Sequence, residues 1–155
     1  DPGTQVRLTL ADSVEEEAAM IPIVDVTFSL APQQPTVTNK PKPGFVSGMP
    51  TVAGGFTLYS TGPHMHTLGR TQRLVAMQNG VETCIGNVDR WDFDWQQGWV
   101  FSEPLHFAED DGLVTFRIDC GWSTMSRSEP VGWGDGTNDE MCLNFVYATG
   151  LSFGL

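Results

Sequence analysis

The strongest constraint on the fold is the dipeptide Asn79-Gly80, which separates two predicted strands at 70–78 and 81–88. Asparagine and glycine tolerate the positive φ angles that a two-residue hairpin turn requires. Side chains that alternate on either side of such a turn leave opposite faces of an extended chain. The sequence therefore predicts an antiparallel β-hairpin in the middle of the chain.

Alternation and turn residues extend this prediction to the rest of the chain. Further strands are expected at residues 4–10, 21–30, 55–67, 91–96, 99–101, 105–107, 114–120 and 140–148. Residues 13–20 are acidic and predict a loop or one helical turn, residues 109–112 predict a turn, and residues 121–138 predict a long polar loop. The fold class that follows is all-β, an antiparallel, jelly-roll-like β-sandwich of about eight to ten strands with little or no helix.

Within these strands the alternation also predicts which side chains share a face. The predicted sets are Val24, Val26, Phe28 and Leu30; Trp91, Phe93 and Trp95; Val114, Phe116, Ile118 and Cys120; and Met141, Leu143, Phe145 and Tyr147. Residues 31–50 contain five prolines, which excludes an internal strand and predicts an extended crossover between two sheets.

Length and charge limit the classes of function. A chain of 155 residues can bury one core, so a single domain over residues 1–155 is expected. The net charge of -11 argues against nucleic acid and anionic membrane surfaces, because both would repel the chain. No apolar run is long enough to predict a membrane span.

The candidate functional residues begin with His64 and His66, which lie in the predicted strand 55–67. Side chains at positions i and i+2 of a strand leave the same face, so the two imidazoles should project together, with Met65 on the other face. Such a pair is half of a metal site, although an isolated pair is more often solvated. His106 is interpreted as a strand histidine that faces solvent or a hydrogen-bond partner. Four methionines are interpreted as packing residues and not as ligands, Met49, Met65, Met77 and Met125, with Met125 in a predicted loop kept as a weak ligand candidate.

Four motifs follow one another along the chain. They are His64-Met65-His66 with Gly69, the dipeptide Asn79-Gly80, the segment Trp91-Asp92-Phe93-Asp94-Trp95-Gln96, and residues 134–142, which end in Glu140-Met141-Cys142. In this order they resemble the C-terminal catalytic domain of the copper type II, ascorbate-dependent monooxygenases, the family of dopamine β-monooxygenase and peptidylglycine α-hydroxylating monooxygenase. The resemblance covers nearly the whole chain, from Gly3 to Tyr147.

The resemblance implies one copper ion held by His64, His66 and Met141, with an open position for water, dioxygen or peroxide. These ligands suit copper, since imidazole binds both oxidation states and a thioether favours Cu(I). The implied activity is the activation of dioxygen and hydroxylation of a substrate C–H bond, with ascorbate or another external reductant.

The resemblance also implies a disulfide between Cys120 and Cys142. A disulfide indicates an oxidising compartment, so the expected location is extracellular, periplasmic or in the secretory lumen. Of the three cysteines, Cys84 then remains free, and we expect it to be buried and inert.

The sequence departs from the family in two respects. A complete family enzyme has an earlier domain with a second copper held by three histidines, and this chain holds one histidine besides His64 and His66. The chain is therefore expected either to follow an upstream second-copper domain or to be a single-domain relative. The peptide-amidating branch also uses an arginine where this chain has Gly62, so the substrate, a small molecule or a peptide, stays open.

A substrate pocket is assigned to Asn144, Phe145 and Tyr147, with Trp122 and Trp133 as further aromatic candidates, although these aromatics fit a packing role equally well. Three functions are weighed. The first is a copper-dependent monooxygenase domain. The second is a non-catalytic, extracytoplasmic copper-binding module for storage, delivery or sensing. The third, a jelly-roll adhesion or carbohydrate-binding domain, leaves the two histidines and the methionine unexplained.

Overall fold

The computed structural model describes residues 3–39 and 52–151. This part of the chain forms eleven strands and no helix. The strands are β1 (Ala18–Val24), β2 (Ser29–Leu30), β3 (Val37–Thr38), β4 (Val52–Ala53), β5 (Phe56–His64), β6 (Gly69–Gln78), β7 (Val81–Val88), β8 (Trp99–Phe107), β9 (Leu113–Trp122), β10 (Val131–Gly132) and β11 (Leu143–Thr149). No helix in the described ranges could therefore cross a bilayer.

The strands form two larger sheets with one core between them. The first sheet has the order β1-β11-β5-β8, the second has the order β3-β9-β6-β7 with β4 also paired to β9, and β10 pairs with β2. All of these strand pairs are antiparallel. Buried apolar side chains of both sheets, such as Leu58 and Val146 in the first and Leu74 and Phe116 in the second, belong to one cluster. The predicted antiparallel β-sandwich is confirmed, whereas its jelly-roll strand order and the single-domain assignment stay predictions.

The central hairpin is confirmed. Strands β6 and β7 pair from Gln72↔Val88 to Gln78↔Val81, and Asn79 and Gly80 form the turn. Their φ angles are 49° and 75°, the pair of positive values that a type I′ turn needs.

The face assigned to β9 is also confirmed, because Val114, Phe116, Ile118 and Cys120 are all buried. The predicted turn before this strand is present as well, with the Gly112 amide donating to the Glu109 carbonyl at 3.1 Å.

The predicted strand at residues 4–10 is wrong. These residues form no strand, and Val6, Leu8 and Leu10 are 82%, 76% and 86% exposed. Alternation describes how a segment could cover a core, but a strand also needs a neighbouring strand to pair with its backbone. Residues 13–17 form a loop, one of the two predicted alternatives, and β1 begins at Ala18.

The predicted strand at residues 21–30 is divided, and its face assignment is wrong. Ile21 and Ile23 are the buried side chains of β1, whereas Val26 is 47% exposed. The break has a local cause, since the Asp25 carboxylate accepts hydrogen bonds from the Thr27 amide and hydroxyl, both at 2.8 Å. An aspartate that bonds the backbone two residues later favours a turn over a continuing strand.

Residues 91–96 were predicted as a strand with three aromatics on one face, and this is also wrong. The Trp95 amide donates to the Asp92 carbonyl at 3.1 Å and the Asp94 amide to the Asp92 carboxylate at 3.0 Å, so the chain turns here. Trp91 is 8% exposed and Trp95 is 72% exposed, so the aromatic side chains do not share one face. This segment connects β7 in one sheet to β8 in the other.

The two short strands expected at 99–101 and 105–107 are one strand, β8. An irregularity in its pairing with β5 explains the interruption in the sequence pattern. Leu58 pairs with Leu105 and Ser60 with Val100, so four residues of β8 stand opposite Tyr59 alone.

The last strand, β11, begins at Leu143, three residues later than predicted. Val146 and Ala148 point into the core, and Phe145 and Tyr147 lie on the outer face at 38% and 42% exposure. The strand is central in its sheet, between β1 and β5, and Leu143 pairs with His64.

A disulfide joins Cys120 at the end of β9 to Cys142 just before β11, and so connects the two sheets. The expectation that Cys84 is buried is wrong, because this free cysteine is exposed. It lies in β7, an edge strand of its sheet in which Ile85 is the one buried residue.

The long connections also differ in detail from the prediction. The loop at 121–138 contains β10, which pairs with β2. The proline-rich crossover is described only to residue 39, where β3 pairs with the end of β9. Its continuation at 40–50, including Met49, lies outside the described residues.

Candidate metal centre

The two histidines of the His-x-His motif lie side by side at the end of β5. Their ring centroids are 5.5 Å apart and the ring planes are nearly perpendicular. His64 is the last residue of the strand and is half-buried, whereas His66 is 8% exposed. Met65, between them, is fully buried in the core. The predicted projection of both imidazoles to one side is therefore present.

Each imidazole is oriented by a hydrogen bond at Nδ1. Nδ1 of His66 lies 3.0 Å from the Asp139 carbonyl oxygen, which can only accept, so this nitrogen donates. Nδ1 of His64 lies 2.7 Å from Oε1 of Gln96, whose own amide nitrogen donates to the Phe93 carbonyl. Both Nδ1 atoms therefore carry the proton, which leaves the lone pair of both Nε2 atoms available to a metal ion.

A carboxylate behind the histidines joins them to the segment before β11. Glu140 is fully buried, and its Oε1 accepts from the Leu68 amide at 2.6 Å. Its Oε2 accepts from the His66 amide at 3.0 Å, the Trp122 indole at 3.0 Å and the Met141 amide at 3.3 Å. The histidine segment and the methionine segment are therefore bonded to the same side chain.

The backbone position of Met141 follows from its neighbours. Asp139 accepts the hydrogen bond of His66, and Leu143 is paired with His64, so Met141 lies midway between two residues that contact the histidine segment. Its side chain is half-buried. The structure thus brings the Met141 segment alongside both histidines.

The histidines open into a cleft of about 180 Å³. It is lined by His64, His66, Thr67, Phe93, Gln96, Asp135 and Thr137. The Phe93 ring stands edge-on to His66 with a centroid distance of 6.4 Å. The cleft is therefore lined by two imidazoles, one aromatic ring and one acidic side chain.

These residues fit a copper ion. A metal lies about 2.0 Å from an imidazole nitrogen, so two rings that share it have centroids within about 6 Å of each other, and 5.5 Å meets that limit. Within residues 3–39 and 52–151, no group of three His, Cys, Asp or Glu side chains could hold a metal. A third protein ligand there must be of another type, and the Met141 thioether is of the kind that Cu(I) prefers.

The three residues assigned to a substrate pocket are not brought together. Asn144 is buried on the inner face of β11, where it accepts from the Thr61 hydroxyl at 2.9 Å and donates to Gln72 at 3.0 Å. It lines a separate cleft of about 290 Å³ between the two sheets. Phe145 and Tyr147 lie on the outer face of the same strand. Of the further aromatic candidates, Trp122 is fully buried and Trp133 is half-buried.

His106 is an exposed strand histidine with a hydrogen-bond partner, as expected, and it lies away from the histidine pair. Its Nδ1 is 2.9 Å from the Thr57 hydroxyl, and the two residues pair across β8 and β5. Thr57 precedes His64 by seven residues of strand, which corresponds to roughly 23 Å.

Sequence reasoning missed Gln96 and Glu140 as contributors to the site. Both residues belong to motifs on which the resemblance rests. The motif Glu140-Met141-Cys142 was the feature of the sequence that could have indicated Glu140. The indole of Trp91 was missed as well, and it donates to the His66 carbonyl at 3.1 Å.

Sequence comparison with known proteins identifies a family whose model matches most of the chain. Residues 46–150 match the family described as copper type II ascorbate-dependent monooxygenase, C-terminal domain. A tyramine beta-hydroxylase of Caenorhabditis briggsae is 30% identical over 96 residues, which cover 60% of this chain and 16% of that protein. A DBH-like monooxygenase protein 1 of Gallus gallus is 29% identical over 93 residues, 59% of this chain and 15% of that protein. MOXD1 homolog 1 of Drosophila melanogaster is 31% identical over 93 residues, 59% of this chain and 13% of that protein. The chain thus spans about a sixth or less of the length of the relatives it matches.

Proposed function

This chain belongs to the copper type II ascorbate-dependent monooxygenases as a C-terminal domain, and from that premise we propose that it binds one copper ion through His64, His66 and Met141 and takes part in C–H hydroxylation. The observation that carries the proposal is the pair of Nδ1 hydrogen bonds. His64 and His66 each donate Nδ1–H to an acceptor, and both rings border the same cleft. This is the second-sphere arrangement that orients imidazole ligands in metal sites.

The residues of the chain have distinct parts in this function. Copper, when bound, supplies the activation of dioxygen at the expense of an external reductant such as ascorbate. Gln96 and the Asp139 carbonyl hold the two imidazoles in the tautomer that can bind metal. The cleft is open to solvent, so a substrate can approach the histidines past Phe93.

The proposed substrate is a small molecule with an apolar or aromatic part. Phe93 gives the cleft an aromatic wall. Glycine at position 62 supplies no cation to bind a peptide carboxylate, which favours a substrate other than a glycine-extended peptide. The relative named tyramine beta-hydroxylase is consistent with a small aromatic substrate.

We propose as the alternative a copper-binding module without turnover, which would use the same His64, His66 and Met141. Of the three histidines in the sequence, His106 lies far from the other two and takes no part in this site. In either function we propose an oxidising compartment, because the Cys120–Cys142 disulfide is typical of extracellular, periplasmic or lumenal proteins.

Copper titration tests the metal site. We expect one copper per chain by calorimetry, and a nitrogen hyperfine pattern in the Cu(II) electron paramagnetic resonance spectrum. His64→Ala should abolish tight Cu(II) binding, and Met141→Ala should weaken Cu(I) more than Cu(II), because thioether sulfur prefers the reduced ion. His106→Ala is the matched control and should leave both affinities unchanged. Equal affinities of the wild type and the His64→Ala and Met141→Ala variants would refute the site.

Oxygen uptake separates the two functions. The copper-loaded chain with ascorbate is placed in an oxygen-electrode cell, alone and with a phenylethylamine as a probe substrate. Copper-dependent uptake with formation of a hydroxylated product, lost in Met141→Ala, supports the monooxygenase. Stable copper binding without product supports the module.

A further inference from the structure

The most enclosed polar side chain at the candidate metal centre is one that the proposed ligand set does not use. Glu140 is 0% exposed, and four N–H groups converge on its two carboxylate oxygens. Its backbone is fixed as well, since its amide donates to the Gly132 carbonyl at 3.0 Å and its carbonyl accepts from the Gly134 amide at 3.3 Å. A buried side chain with this many contacts has one position available to it.

The four donors require a carboxylate. Both carboxylate oxygens act as acceptors, one for a single N–H group and the other for three, so the site has no place for a donor on this side chain. A glutamine in the same place would turn an NH₂ group toward either the Leu68 amide or the three donors on the other oxygen. Two donors would then face each other in a site without solvent.

Two of the four donors are the backbone amides of His66 and Met141, which are proposed copper ligands. The pairing of β5 with β11 ends at His64↔Leu143, so His66 lies beyond the regular ladder that aligns the two strands. Beyond the end of the ladder, the amides of His66 and Met141 both bond to Oε2 of Glu140, and these two bonds align the segments. We propose that Glu140 is a positioning residue that sets His66 and Met141 at the spacing needed to share one copper ion.

This role rests on the proposed function and differs from ligation. Both carboxylate oxygens already accept protein donors, and the cleft beside the histidines is lined by other side chains. Glu140 therefore acts on copper only through the backbone of the ligands. A group that orients a metal ligand in this way affects metal affinity by about 10- to 100-fold when it is replaced.

The first test examines the metal-free wild type by amide hydrogen exchange. The amides of His66 and Leu68 donate to a fully buried carboxylate, so they should exchange at least about 100-fold more slowly than the amide of Leu8, a residue that is 76% exposed and lies outside the strands. Exchange as fast as that of Leu8 would overturn the positioning role without reference to copper.

The second test compares copper affinities by competition with a chromophoric chelator. Glu140→Gln keeps the length of the side chain and should weaken copper binding at least about tenfold. Val114→Ala is the matched control, because Val114 is also fully buried but lies in β9, where it pairs with Val52 and Gln78 and not with the histidine or methionine segment; the affinity of this variant should stay within about twofold of the wild type.

The outcomes separate the two proposals. If Glu140→Gln does not fold, Glu140→Asp takes its place, since it keeps the charge but is one methylene too short to reach both segments, and the same tenfold loss is expected. Wild-type affinity in the folded Glu140 variant would overturn the positioning role alone. A wild-type chain that binds no copper would overturn the proposed function together with this role.

Discussion

Reduction of the Cys120–Cys142 disulfide should destabilise the chain without disturbing the packing around the sulfurs. The bond joins the end of β9 to the residue after Met141, so it connects one sheet to the start of the other sheet's central strand. Reduction is preferable to substitution here, because Sγ of Cys142 lies 3.8 Å from the buried Asn39 amide and a smaller side chain would leave a gap.

The expected loss of stability follows from the length of the loop. The two cysteines are separated by 22 residues in sequence. In the chain-entropy model, closing such a loop removes about 11 cal/mol/K from the unfolded chain, which is about 3.4 kcal/mol at 25 °C. Unfolding a chain of 155 residues has an entropy of about 330 cal/mol/K near its midpoint, so this free energy corresponds to a midpoint about 10 °C lower.

The assay is thermal unfolding followed by far-ultraviolet circular dichroism, with and without a phosphine reductant. The experiment is done in a Cys84→Ser background, because Cys84 is free and exposed and could otherwise react or form mixed disulfides. Thiol titration then counts two thiols only after the bridge is open. A midpoint that falls by less than about 3 °C after full reduction would refute the loop-entropy argument.

Three further predictions concern single residues. Gln96→Leu removes the acceptor of the His64 Nδ1–H bond and should weaken Cu(II) binding about tenfold in calorimetry; unchanged affinity would mean that His64 needs no such orientation. Gly80→Ala should lower the free energy of unfolding in urea by about 1 kcal/mol, because φ is 75° there and a Cβ would meet nothing within 4 Å; a larger loss would point to a lost contact instead of backbone strain. Cys84 should react with one equivalent of maleimide in the folded, oxidised chain; a thiol that reacts only in denaturant would contradict its exposure.

The parts of the fold that could be predicted from the sequence are those that depend on neighbouring residues. Asn79 and Gly80 determine a hairpin by their own φ angles, and β9 shows its buried face because each of its alternate residues packs on one core. Residues 4–10 have the same alternation and form no strand. The difference is the pairing edge, which another part of the chain must provide, and alternation carries no information about it.

The strand prediction for the aromatic segment at 91–96 was wrong for a different reason. Its alternation is regular, but Asp92 accepts hydrogen bonds from Asp94 and Trp95 and turns the chain. The turn places Gln96 against His64, a contact across 32 residues of sequence. The turn at Asp92 therefore ends the predicted strand and also positions Gln96 in the site.

The candidate metal centre shows the same limit. The spacing of His64 and His66 predicts that they lie together, but Glu140 reaches the His66 amide across 74 residues, and no local pattern indicates that contact. Met141 entered through a resemblance of ordered motifs, because a methionine before an apolar strand is ordinarily a core residue. Hydrogen-bond partners that come from distant segments are determined by the tertiary fold and could not be derived from spacing.

His64 and His66 border the same cleft, but different contacts hold each of them in place. His64 belongs to the regular strand β5 and is half-buried, and its orienting partner is the side chain of Gln96 in a loop. His66 lies beyond the strand, is nearly buried, and is held through both its ring and its backbone by Asp139 and Glu140. His66 is therefore held by more contacts than His64. In the proposed copper site we expect His64 and Gln96 to move more than His66 if a bound copper ion changes its oxidation state.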